Sequence, residues 1–126
     1  MTTVENLIYP AASNEDGWHV VGLSTQLFAE KPCHGTHIEN VRIGLFFVEG
    51  EVYALDDICT HGNALLTDGE LEDFEIECPL HAGVFDIRSG KATGSPATRS
   101  ARRHKTRIDD GWLSVKLNLG GAEDEC

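Results

Sequence analysis

A chain of 126 residues suffices for one domain that buries about two thirds of the surface its unfolded form exposes, so it can fold without disulfide staples. Ten Lys and Arg against twenty-one Asp and Glu give a formal charge of −11, which argues against nucleic-acid and anionic-membrane partners and for docking to a basic protein surface. Glu5, Asn6, Asn14, Glu15 and Asp16 break up the start of the chain, so no signal peptide is expected, and the longest apolar run, residues 43–48, is far too short to span a bilayer.

Residues 1–16 are polar, contain Pro10 and read as an N-terminal arm. Residues 18–23 alternate well enough for a first strand, with Trp18, Val20 and Leu23 pointing inward. Residues 26–40 read as a polar connector with a turn at Lys31-Pro32-Cys33-His34-Gly35. Cys33, His34 and His37 lie inside it and, lacking a fourth ligand, read as an ordinary loop. Residues 41–48 and 52–55 flank Glu49-Gly50-Glu51, a hairpin pattern that delivers the chain into Asp56-Asp57-Ile58.

Beyond that point Thr67-Asp68-Gly69 marks a turn, and residues 74–77 and 84–87 alternate as short strands. Arg88-Ser89-Gly90-Lys91 closes the second of these, and residues 93–96 read as a loop. Residues 102–108 and 112–117 form a last strand pair around Asp109-Asp110-Gly111. Residues 119–126 read as a flexible tail, with Cys126 a free thiol; His19 and His104 read as strand residues without chemistry. No stretch longer than one turn has helical periodicity, so the expectation is an all-β domain over 17–118.

The chemistry concentrates in Cys59-Thr60-His61 and Cys78-Pro79-Leu80-His81, two clips sixteen residues apart. Each offers one thiolate and one imidazole. A two-iron, two-sulfide cluster can be held asymmetrically by such a set, with cysteines on one iron and histidines on the other. The same four residue types also suit structural zinc. Gly62, Pro79, Ala82 and Gly83 punctuate both loops, where small residues let backbone approach an inorganic core closely. Cysteines placed beside histidines, rather than in a paired framework, point to a reducing, cytoplasmic compartment.

Together with Tyr53-Ala54-Leu55-Asp56-Asp57, Asp68-Gly69 and Phe85-Asp86-Ile87-Arg88-Ser89-Gly90-Lys91-Ala92, the clips resemble the Rieske [2Fe-2S] ferredoxins of bacterial aromatic-ring dioxygenase systems, from about residue 18 to residue 117. The resemblance implies a small antiparallel β-barrel or sandwich with a projecting two-loop cluster-binding part at about 56–90. Cys59 and Cys78 would hold the inner iron of one cluster per chain, and His61 and His81 the outer iron. It also implies a one-electron carrier, not an enzyme, that takes electrons from a NAD(P)H-dependent, flavin-dependent ferredoxin reductase and delivers them to a terminal Rieske oxygenase. The small Rieske-like subunit of a nitrite reductase is the alternative, and a structural zinc module a more remote one.

High-potential relatives brace their loops with a disulfide and donate serine and tyrosine hydroxyls to the cluster; here Leu80 and Gly62-Asn63-Ala64 lack cysteine, and Gly83 and Phe85 lack hydroxyls. A potential near the low end of the Rieske range, about −150 mV, is therefore expected. Arg99, Arg102, Arg103, Lys105 and Arg107 form a basic run that reads as a solvated strand face. Asp56, Asp57, Asp68, Glu70, Glu72, Asp73, Glu75 and Glu77 crowd the clips and could steer them toward a basic partner.

Overall fold

The computed structural model describes residues 17–59, 64–79, 83–94 and 100–118. The expected arm, the tail with Cys126, and Arg99 lie outside them. Among the described residues ten strands run in chain order: β1 Trp18–Leu23, β2 Cys33–Ile38, β3 Val41–Val48, β4 Glu51–Asp56, β5 Glu70–Glu72, β6 Glu75–Glu77, β7 Val84–Asp86, β8 Ala92–Gly94, β9 Arg103–Asp109 and β10 Trp112–Lys116. One turn of helix, α1 (Ser24–Leu27), follows β1, and a 3₁₀ turn at Leu66–Asp68 precedes β5. No helix among the described residues is long and apolar enough to cross a membrane.

All pairings are antiparallel. Six strands form one sheet in the order β1-β10-β9-β4-β3-β2, and four form a smaller sheet in the order β5-β6-β7-β8. The larger sheet curls into a barrel. Residues from both ends of its strand order, Val21 of β1 and Ile38 of β2, pack on one interior with Ile43, Leu45, Val52, Ala54, Leu113 and Val115. His19 and Glu39, 3.5 Å apart, bring the two edges together. The other face of β2–β4 contributes Cys33, Phe46 and Leu55 to a second core, shared with Leu66, Ile76, Phe85 and Ile87 of the smaller sheet and its approaches. Strands buried on both faces explain why residues 41–48 read as a near-continuous apolar run.

Three tight turns fix the hairpins. Glu39-Asn40, Glu49-Gly50 and Asp110-Gly111 each place both central residues at positive φ, the pattern of a two-residue turn whose twist matches the strands. The expected hairpins at 41–55 and 102–117 are present, with Val48 opposite Glu51 and Asp109 opposite Trp112.

Several expectations are corrected. Residues 26–40 are no plain connector: α1 ends there and β2 pairs with β3 along its whole length, from Cys33↔Phe46 to Ile38↔Val41. Its apolar residues stand only at the two ends, so no alternation marks it; the Glu39-Asn40 turn and the partner strand create it. On β1, Val21 packs on the interior, and Trp18 lies instead under the Arg107 guanidinium at 4.4 Å; a register shift between Val20 and Gly22 spoils simple alternation. The loop expected at 93–96 begins as β8, and β5 was not expected.

Candidate metal centre

The part that carries the clips leaves the barrel after β4 and returns at β9. These strands are neighbours, with Ala54 opposite His104 and the Asp56 N–H donating to the Arg102 carbonyl at 2.8 Å. The excursion therefore starts and ends at one place on the barrel wall.

Both clips are built alike. The Cys59 N–H donates to the Ala64 carbonyl at 2.8 Å, and the Cys78 N–H donates to the Gly83 carbonyl at 2.7 Å. Each bond closes a loop that begins on the cysteine. Flanking pairs hold the loop bases: Ile58 bridges to Leu65 for the first, and Glu77 of β6 faces Val84 of β7 for the second. The side chains then divide by position. Cys59 and Cys78 are 3% and 1% exposed and belong to the same core, while their neighbours Ile58 and Pro79 face solvent.

His61 and His81 lie outside the described residues, as do Thr60, Gly62, Asn63, Leu80 and Ala82. Of the predicted ligand set, the structure thus places the two cysteines. Two buried thiols at matching positions of twin loops are of the soft donor type that an iron–sulfide group takes, and their burial is compatible with an iron farther from solvent. No disulfide joins Cys33, Cys59 or Cys78. At the positions without hydroxyls, Phe85 is fully buried in the core and Gly83 is buried, with its carbonyl committed to Cys78.

Cys33, expected in an exposed connector, is instead 7% exposed on β2 in the same core as Cys59 and Cys78. Burial pushes its thiol pKa up, with Lys31 opposing and Asp57 and Glu70 assisting, so it stays protonated and unreactive. His34 and His37 share that strand, and among the described residues no group of three or more His, Cys, Asp or Glu could hold a metal. His104 is a strand residue, as expected, but a buried one: its Nδ1 accepts from the Asn118 N–H at 2.9 Å, leaving Nε2 to donate to Asp56 at 2.7 Å.

Asp57, grouped by sequence with the surface carboxylates, is fully buried two residues before Cys59. Its carboxylate accepts from Arg42 Nε at 2.9 Å and from the Thr67 N–H and hydroxyl at 2.8 Å each. The sequence carried one clue to this grip, a single arginine inside the apolar run of β3. Of the basic run, Arg102 lies 3.6 Å from Asp56 and Arg107 covers Trp18, whereas Arg103 and Lys105 line a groove of about 960 Å³ with Arg88 and Lys116.

The profile of the Rieske [2Fe-2S] domain matches residues 17–108. The ferredoxin component of the naphthalene 1,2-dioxygenase system of Pseudomonas putida is 46% identical over 85 residues, covering 68% of this chain and 80% of that protein. Among solved structures, the ferredoxin of carbazole 1,9a-dioxygenase from Nocardioides aromaticivorans IC177 superposes with a TM-score of 0.72 at 29% identity, covering 79% of this chain and 95% of that one. A complex of reduced oxygenase and oxidized ferredoxin in carbazole 1,9a-dioxygenase gives a TM-score of 0.73 at 26% identity, covering 79% and 93%. Twin loops rooted on buried cysteines, a barrel beside a smaller sheet and these matches lead to one conclusion: the chain belongs to the Rieske [2Fe-2S] family, with the ferredoxin components of aromatic-ring dioxygenase systems, and its cofactor is a Rieske-type [2Fe-2S] cluster.

Proposed function

We propose that this chain carries single electrons from a flavin-dependent, NAD(P)H-dependent ferredoxin reductase to the terminal oxygenase of an aromatic-ring dioxygenase system in the cytoplasm. The observation that carries the reading is the pair of like loops, each closed by a bond from its cysteine amide and each sending its thiol into one core. Cys59 and Cys78 hold the inner iron, and His61 and His81 the outer one. When bound, the cluster supplies a site that takes up and releases one electron.

The chain's own residues set the terms of that exchange. The apolar shell of Phe46, Leu66, Ile76 and Phe85 keeps water from the sulfur side, which limits reorganisation around the metal. Gly83 and Phe85 donate no hydroxyl hydrogen bond, so the added charge of the reduced state is less stabilised and the potential sits near the low end, about −150 mV.

Anaerobic reconstitution followed by visible absorption, iron and sulfide analysis, and voltammetry tests the reading. A coloured protein with two irons per chain is expected, and His81→Cys is expected to change both spectrum and potential. A colourless, iron-free product defeats the carrier. An unaltered spectrum in His81→Cys removes His81 from the ligand set, and a wild-type potential above zero removes the low-potential assignment.

A further inference from the structure

Among the described residues no disulfide braces the first clip, yet its base is pinned at several points by one residue. The Asp57 N–H donates to the Arg42 carbonyl at 3.0 Å, and its own carbonyl accepts from the Leu66 N–H at 2.7 Å. Its side chain grips Thr67 through both amide and hydroxyl, and Arg42 through Nε. Asp57 thus ties the outgoing limb of the clip to the returning limb, and both to β3 of the barrel.

The barrel is shaped to admit this group. Gly35 of β2 stands opposite Gly44 of β3, forming a notch without side chains in an otherwise filled wall. A methyl group at Gly44 would come 2.9 Å from Asp57 Oδ1 and 3.0 Å from the Thr67 methyl; one at Gly35 would collide with the Arg42 guanidinium. Asp57 is fully buried and Arg42 is 27% exposed, so the pair acts in a setting where an unmatched charge is costly.

We propose that Asp57, held by Arg42 and Thr67 in the Gly35/Gly44 notch, is a positioning residue for the cluster. It fixes where the Cys59 loop stands on the barrel, and its charge is matched by Arg42 so that the site carries no net local charge from the pair. This rests on the clips holding a [2Fe-2S] group.

The test uses the reconstituted full chain and follows bleaching of visible absorption by a ferrous chelator, at a temperature where far-UV circular dichroism is unchanged. Asp57→Asn is expected to lose its cluster about tenfold faster than wild type, since hydrogen bonds to a charged group are being weakened. Thr67→Val, which keeps the ion pair and the backbone bond, gives a milder change of about threefold and remains informative should Asp57→Asn not fold. Gly44→Ala, which removes no polar group but crowds Asp57 and Thr67, accelerates loss as well.

Voltammetry supplies a readout that general loosening would not reproduce. Removing the carboxylate in Asp57→Asn raises the potential, removing the cation in Arg42→Gln lowers it, and the double variant falls between. Cluster loss within about twofold of wild type in Asp57→Asn, Thr67→Val and Gly44→Ala overturns the proposal, as does a shift of the same sign in both single charge variants. A wild-type protein that assembles no cluster overturns the carrier reading itself, a result distinct from either.

Discussion

Three described cysteines share one core, and local structure sets Cys33 apart from the other two. Cys59 and Cys78 each begin a loop closed by their own amide, whereas Cys33 lies within a regular strand opposite Phe46. Cys33→Ala is therefore expected to take up a full cluster at a stability cost of about 1 kcal/mol, the scale of trimming a small buried side chain. Cys78→Ser is expected to yield no stable cluster. Visible absorption after reconstitution separates them, and mass spectrometry of alkylated native protein should find Cys33 unmodified, because burial holds its thiol protonated. The ligand candidates were legible because C-x-H and C-x-x-H are contiguous strings. The grip on Asp57 was not: Arg42 and Thr67 stand fifteen and ten residues away from it, and a buried carboxylate looks like any surface one until its partners are known.

At the level of strands, hairpins with strong alternation and a glycine turn could be read directly, as at 41–55 and 102–117. β2 and β5 could not. β2 has too few apolar positions, and β5 is a three-residue strand whose partner, β6, supplies the only pattern. Cross-strand register also exposes pairs that sequence hides. Lys105 of β9 faces Lys116 of β10, and on the smaller sheet Glu70 faces Glu77 while Glu72 faces Glu75. Like charges set directly opposite are destabilising. Lys105→Glu and Glu72→Lys should each raise the unfolding free energy by about 0.5 kcal/mol, measured by denaturant titration. A decrease in either would mean that the unlike partner is drawn away by other charges nearby.

Across the whole molecule the charge of −11 is unevenly placed. Glu70, Glu72, Glu75 and Glu77 are exposed on the strands that lead into the second clip, while Arg88, Arg103, Lys105 and Lys116 gather at the groove. That groove lies at the start of β4 and beyond the end of β7, whereas the clips follow the end of β4 and precede β7. Acidic flanks beside the clips favour encounter with a basic surface, so electron transfer to a partner should slow several-fold as ionic strength rises from about 0.01 to 0.15 M, as the Debye length contracts. Stopped-flow rates that do not change with salt would assign these carboxylates to solvation alone. The all-β class followed from the lack of helical periodicity, but the curl of six strands into a barrel depends on which edges meet, a long-range fact that no single segment states.

The adjacency of β4 and β9 has a consequence for the order of assembly. Since the chain leaves and re-enters the barrel between two paired strands, the barrel's ladder and interior are complete without residues 57–102. Folding of the barrel then need not wait for metal, and a newly made chain can hold a finished barrel while its clips await iron and sulfide. Scarcity of iron would leave an idle carrier rather than a misfolded one, ready to enter service without being made again.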